Sequence, residues 1–150
     1  MGDLTKNFST SEFSRYRHGH FEIPSGLMPN LRRLAEQLQR IRDHVGRPVR
    51  VTSGYRTPAY NERIGGSKTS RHTACLAADI KVDGLLGAEL AAKIVELDLE
   101  WDQVIAYSSS RGGHVHYGIA PEDKAPRGEK RYRGPGPGYP HVDDFDGLTE

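Results

Sequence analysis

Residues 75–82 read Cys75-Leu76-Ala77-Ala78-Asp79-Ile80-Lys81-Val82 and alternate between two kinds of side chain. Successive side chains of a β-strand point to opposite faces, so the four even-numbered residues, all apolar, would share one face. The other face would hold small side chains and one acid, Asp79. The pattern therefore predicts a strand with a core face and a second face that presents a carboxylate.

Helices are predicted on the N-terminal side of this strand and after it. The clearest covers about residues 29–45, where five apolar residues recur at intervals of three or four and form one stripe. These are Leu31, Leu34, Leu38, Ile41 and Val45. Ser9 and Glu12 have the spacing of a capping box and predict a short helix there. Thr57-Pro58 predicts the start of another, and residues 88–97 are also helical in pattern.

Further strands are predicted at residues 49–52, 104–107 and 114–119. This order of elements is typical of an α+β domain with a small, largely antiparallel sheet flanked by helices. We expect the domain to cover residues 1–132. Residues 133–150 contain a Gly/Pro-rich run and an acidic end, and we expect them to form a flexible tail.

Composition excludes several classes of protein. The formal net charge of the 150 residues is +1, which gives no bulk electrostatic attraction to nucleic acid or membranes. No apolar run approaches the length of a transmembrane helix, so we expect no membrane insertion. Cys75 is the single cysteine and allows no intrachain disulfide. The N-terminal residues show no signal-peptide core, so we expect the protein to be made in the cytoplasm. We also expect it to be a monomer.

His114 and His116 stand two residues apart in a predicted strand and would point to the same face. Two such imidazoles can meet one metal ion, or one can bind the ion while the other handles a proton. A pair of surface histidines on an edge strand would give the same pattern.

Asp79 and His72 strengthen the metal interpretation. A carboxylate among small apolar neighbours is normally paired, hydrogen-bonded or bound to metal, although bonds from a nearby turn would also satisfy it. Two histidines and one aspartate give three ligands with an open fourth position, which is how a catalytic zinc site is built. A structural site commonly has four ligands and uses cysteines. Cys75 remains an alternative ligand because it shares the Asp79 face.

Arg56 follows the turn Ser53-Gly54-Tyr55, which would hold it in place. Beside a metal, an arginine suits a substrate carboxylate or a developing oxyanion. An ordinary surface arginine would look the same in sequence.

The run Ser70-Arg71-His72-Thr73-Ala74-Cys75-Leu76-Ala77-Ala78-Asp79 resembles the Ser-x-His-x-x-Gly-x-Ala-x-Asp signature of the M15 zinc peptidases. This family includes D-alanyl-D-alanine carboxypeptidases and dipeptidases and phage endolysins that cut peptidoglycan stem peptides; hedgehog signalling domains share its core. Residues 53–58, 61–66, 101–105 and 114–116 also resemble it, in the same order. The resemblance covers about residues 8–120.

The resemblance implies a zinc ion on His72, Asp79 and His116, with Arg56 binding substrate. We expect Ser70 and Gln103, which stand within the matching motifs, to bind substrate as well. The substrate would be a stem peptide, cut by a carboxypeptidase or endopeptidase activity. Such a protein would act on the cell wall once released.

The sequence departs from the family pattern at two places. Cys75 replaces the motif glycine. The family usually places an acid shortly before the last zinc histidine as general base, but no acid stands between Asp102 and His116. His114 is the best substitute and Asp102 the second choice. The missing acid also leaves open a non-catalytic zinc module that binds a peptide or protein.

A third hypothesis concerns a short basic cluster near the C-terminus, formed by Arg127, Lys130, Arg131 and Arg133 with Tyr132. Such a cluster could bind nucleic acid. Its shortness and its place beside the predicted tail favour an ordinary solvated segment, so no nucleic-acid partner is expected.

Overall fold

The computed structural model describes residues 2–148, which form an α+β domain as predicted. Its α-helices are α1 (Thr10–Ser14), α2 (Met28–Val45), α3 (Pro58–Arg63) and α4 (Gly87–Val95). Short 3-10 helices cover Ser25–Leu27, Arg71–Ala74 and Ser109–Arg111. None of the helices in the described part of the chain has the length and hydropathy that a membrane span requires.

The strands form two sheets among the described residues. A short hairpin pairs β1 (Arg15–Tyr16) with β2 (Gly19–His20). The main sheet contains β3 (Arg50–Ser53), β4 (Ala77–Lys81), β5 (Trp101–Tyr107), β6 (Val115–Ile119) and β7 (Glu129–Arg133). Its order is β3-β4-β6-β5-β7, with β5 and β7 parallel and the other pairs antiparallel. The largely antiparallel sheet is therefore confirmed.

One face of the main sheet packs against α2 and α4. Ala78 and Ile80 of β4 are fully buried and belong to the same core cluster as Leu34 of α2 and Ile94 of α4. Four residues of the predicted α2 stripe are fully buried, and the fifth, Val45, is half-buried. Asp79 points to the opposite face because side chains alternate along the strand. That face carries the candidate site.

The sequence does not predict strand β7, because the charges of residues 127–133 are typical of a solvated segment. Its five residues Glu129–Arg133 carry four charges and one buried apolar side chain, Tyr132. Hydrophobic alternation cannot reveal a strand of this kind. Its pairing with β5 joins residues 26 apart in sequence, Gln103 and Glu129 among them.

The predicted C-terminal tail differs from the structure in its packing. Strand β7 continues through Arg133, across the expected boundary at residue 132. Phe145 is only 2% exposed and belongs to the core cluster, which Val142 and Leu148 also contact. The described part of this segment therefore packs on the domain, because a few isolated apolar side chains pack in or against the core.

At the N-terminus, α1 starts at Thr10, next to the predicted cap Ser9. The Ser9 side chain makes no capping hydrogen bond. The capping-box spacing thus located the helix start without the hydroxyl contact that usually accompanies it.

Candidate metal centre

Strand pairing brings Asp79 and His116 together. Asp79 of β4 lies directly opposite His116 of β6 in the antiparallel ladder. Directly opposed residues point to the same face of a sheet, so the carboxylate and the imidazole meet. His116 Nδ1 lies 3.1 Å from Asp79 Oδ1.

His72 reaches the same carboxylate from the 3-10 helix Arg71–Ala74. Ser70 caps this helix, with its hydroxyl accepting a hydrogen bond from the backbone N–H of His72 at 3.2 Å. The His72 ring is almost completely buried, and its Nε2 lies 3.4 Å from Asp79 Oδ1.

The protonation of His72 follows from its second ring nitrogen. His72 Nδ1 lies 2.7 Å from the carbonyl oxygen of Gly54. A carbonyl oxygen only accepts, so Nδ1 carries the proton and donates it. Burial lowers the pKa of His72, so the ring is neutral near pH 7 and Nε2 holds a lone pair. Two acceptors, Nε2 and the Asp79 carboxylate, therefore face each other without a proton between them.

These three residues fit a divalent metal ion. Their potential ligand atoms all lie within 4.8 Å of one another. Ligand atoms about 2.0–2.2 Å from a tetrahedral zinc would be separated by roughly 3.3–3.6 Å, and the observed contacts of 3.1 and 3.4 Å lie near the lower end of that range. A cation would also satisfy the two facing acceptors. The bond from His72 to the Gly54 carbonyl is the outer-shell contact that orients most metal-ligating histidines.

Asp79 is charged in this setting. Burial alone would raise its pKa, but the hydrogen bond with His116 helps to hold the pKa well below its usual value. The group is thus ionised at neutral pH, as a metal ligand must be.

Arg56 stands beside the cluster. Its NH2 lies 3.6 Å from Asp79 Oδ2, and its other nitrogens donate to Ser53 Oγ and Asn61 Oδ1, each at 3.3 Å. Asn61 is itself buried and donates to the carbonyl oxygen of Ser67 at 2.8 Å. The guanidinium is therefore held in a fixed position next to the candidate metal ligands.

The cluster and Arg56 lie in a cleft of about 790 Å³. The family sequence profile for Peptidase M15 matches residues 6–116, more than two thirds of the chain. The chain belongs to the peptidase M15 family. M15 proteins are metallopeptidases, and His72, Asp79 and His116 are the candidate metal ligands of this member. A comparison with curated proteins returned no match.

His114 borders the cluster of this M15 peptidase. It stands just before β6, with Nε2 4.0 Å from Asp79 Oδ2. Its ring stacks on Tyr107 of β5, with centroids 4.0 Å apart and planes tilted by 19°. Burial lowers the pKa of His114, so this ring too is neutral near pH 7.

Asp102, the second choice for a base in the sequence, has a different role in the structure. It is 1% exposed, and Arg127 grips both of its oxygens, with NH2 2.7 Å from Oδ2. The backbone N–H of Arg127 also donates to Oδ1 at 2.9 Å. These contacts tie β5 to the segment before β7, and Asp102 is absent from the metal-ligand group of the described residues. Asp102 therefore braces β5 against this segment, and its alternative role as a base stays a prediction.

Ser70 and Gln103, the expected substrate-binding residues, both line the cleft. The Ser70 hydroxyl is occupied by capping, whereas the Gln103 amide donates to Glu129 Oε1. Glu129 is an acid in the cleft that the sequence did not reveal. Hydrogen bonds from Arg131 lower the pKa of Glu129 to about 2, which makes it a weak proton acceptor. Only the period-two spacing of Glu129 and Arg131 hinted at a shared strand face.

Cys75, the alternative ligand, does not join the metal group. It is buried in the core, and burial raises the pKa of its thiol to about 12. Its φ of 57° lies in the left-handed region, where the residue caps the 3-10 helix. This backbone conformation favours glycine, which explains physically why a glycine suits this position of the motif.

Proposed function

We propose that this M15 peptidase is a zinc enzyme that hydrolyses an amide bond in peptidoglycan stem peptides, as a carboxypeptidase or an endopeptidase. The observation that carries the proposal is the convergence of His72, Asp79 and His116 on one point beside Arg56. Three protein ligands leave a fourth position open for water or substrate, as in catalytic zinc sites. The wall lies outside the cell membrane, so we propose that the protein acts there after release.

The chain's own residues supply the remaining functions. When bound, zinc supplies Lewis acidity and lowers the pKa of a bound water toward neutrality. Arg56, held by Ser53 and Asn61, would bind the substrate's carboxylate or polarise its scissile carbonyl. His114 would accept the proton from the attacking water and return it to the leaving amine. Its neutral ring and its position beside Asp79 support this assignment.

The test is mass spectrometry of purified peptidoglycan after incubation with the zinc-loaded protein. We expect new muropeptides that are shortened or opened at one bond and that do not appear with a chelator or with His72→Ala. The mass difference identifies the bond. A zinc-loaded protein that releases nothing from peptidoglycan or from synthetic stem peptides would contradict the proposal.

A second candidate function has one observation in its favour. No acid stands between Asp102 and His116, and Asp102 itself is held by Arg127. A non-catalytic zinc-bound module that binds peptides would need no base. Binding of a stem peptide by titration calorimetry, without hydrolysis over hours, would support this second function over the first.

A further inference from the structure

Several basic side chains line the cleft. Three of them are Arg71, Lys124 and Arg127, and the acids among the described lining residues are Asp79 and Glu129. We call these three residues the basic rim. Two of them, Lys124 and Arg127, lie after residue 116 and thus outside the part of the chain that matches the M15 family.

The rim keeps an excess of positive charge. Arg127 and Arg71 share a single carboxylate, that of Asp102, at 2.7 and 3.8 Å. One of the two guanidinium charges is therefore not neutralised locally. Asp102 accepts hydrogen bonds from Nε and NH2 of Arg127. The third nitrogen, NH1, donates to no acceptor within residues 2–148. Hydrogen bonds to Asp102 hold the Arg127 guanidinium in place, which lowers the entropy lost when it binds a ligand, whereas Arg71 makes only the 3.8 Å ion pair.

Lys124 adds another positive charge to the lining of the cleft. It is exposed, and its ammonium makes no ion pair with any residue that the structure describes. Its backbone N–H donates to the carbonyl oxygen of Pro121 at 3.0 Å, which sets a turn in the segment between β6 and β7. Glu129 offsets the rim charge only in part, because its carboxylate pairs with Arg131 at 2.8 Å while it also attracts Arg127.

We propose that the basic rim binds a carboxylate of the substrate other than the one that meets Arg56. The substrate class is then a peptide with at least two free carboxylates, one near the scissile bond and one that reaches Arg71, Lys124 and Arg127. Fixed guanidiniums suit planar oxyanions, and a mobile lysine suits a nearby point charge. This inference rests on the proposed function, whose site it deepens. The segment that follows the family match thus contributes two of the three rim residues to specificity.

The test uses two synthetic stem peptides that both keep the C-terminal carboxylate. In one the remaining carboxyls are free, and in the other they are carboxamides. Both kcat/KM, from mass spectrometry, and Kd, from titration calorimetry, are measured on the zinc-loaded protein. The variants are Lys124→Gln and Lys124→Glu, which change an exposed side chain and leave the buried Asp102 pair intact. Lys93→Gln on α4 removes the same charge on the other side of the sheet and is the control.

We expect wild type to prefer the free-carboxylate peptide by about tenfold, the usual worth of charge-assisted hydrogen bonds. The preference should fall about threefold in Lys124→Gln, fall further in Lys124→Glu, and persist in Lys93→Gln. Two results would overturn the inference without contradicting the proposed hydrolysis. One is equal kcat/KM and Kd for the two peptides with wild type, and the other is an unchanged preference in both Lys124 variants. If the free-carboxylate peptide binds more tightly but neither peptide is hydrolysed, the result would contradict the proposed enzymatic function and support carboxylate binding by the basic rim.

Discussion

The carbonyl oxygen of Gly54 accepts a hydrogen bond from His72 Nδ1 at 2.7 Å, and this bond decides which His72 nitrogen faces Asp79. Gly54 can take this position because it has no side chain. A Cβ built on Gly54 would lie 2.5 Å from the backbone oxygen of Phe13. The neighbouring Tyr55 N–H donates to that same oxygen at 2.7 Å. A close contact between α1 and the end of β3 thus orients a metal ligand.

Gly54→Ala should weaken zinc binding without removing a ligand. The added methyl must displace the backbone near Phe13 and move the Gly54 carbonyl from His72. Loss of such an outer-shell bond typically lowers metal affinity about 10–100-fold. Competition with a fluorescent zinc chelator measures the change. Gly26→Ala is the control, since a methyl group added at Gly26 would have no neighbouring atom within 4 Å. An equal affinity in Gly54→Ala would mean that the carbonyl does not orient His72.

His72→Ala should remove most of the bound metal. Purified protein should contain about one zinc per chain, as expected for a three-ligand site, and the variant should contain far less. Metal analysis by mass spectrometry checks both. His18→Ala, at an exposed position in the turn between β1 and β2, should keep the wild-type content. A full zinc complement in His72→Ala would show that the ligand set is wrong.

The sequence predicted those parts of the fold in which hydrophobic periodicity is strong. Alternation in residues 75–82 located β4, and the three- and four-residue spacing located α2. The three candidate metal ligands stood in recognisable motifs, and the structure brings them together. These patterns are local, so they can be recognised in the sequence without knowledge of tertiary contacts.

The remaining features depend on contacts between distant residues. Strand β7 carries mostly charged side chains and is stabilised by parallel pairing with β5, which no local pattern shows. The position of Glu129 in the cleft could therefore not be predicted from its neighbours in sequence. The role of Asp102 was also hidden, because its partner Arg127 lies 25 residues away. A carboxylate's chemistry depends on such partners more than on its place in a motif.

Phe145→Ala should destabilise the protein although Phe145 lies in the segment that the sequence assigned to a tail. Its side chain is buried in the core, and truncation of a buried Phe to Ala typically costs about 3–5 kcal/mol. Urea unfolding measures the loss. Leu86→Ala, at a residue 43% exposed, should change stability much less. Equal stability of wild type and Phe145→Ala would instead support the prediction that the folded domain ends at residue 132.

Cys75 should be unreactive in the folded protein. Burial raises its pKa to about 12, so almost no thiolate exists at pH 8. A thiol reagent should label native protein far more slowly than protein in denaturant. The unfolded thiol ionises near its ordinary pKa of about 8.5, so the free energy of unfolding should fall as pH rises above that value. Rapid native labelling at pH 8 would contradict the buried position.

His114 provides the sharpest test of the proposed chemistry. Its Nε2 lies 4.0 Å from Asp79 Oδ2, close enough to border the metal cluster. His114→Ala should retain zinc but slow hydrolysis by about 10²–10⁴-fold, the usual contribution of general acid–base catalysis. Because alanine also removes the ring that stacks on Tyr107, His114→Phe is the matched variant: it keeps an aromatic ring and lacks the nitrogen. Both variants should be slow if proton transfer is the role, whereas a slow alanine and a fast phenylalanine variant would indicate that the ring only supports Tyr107. Zinc analysis of the same samples separates a third outcome, since loss of metal in both would make His114 a ligand.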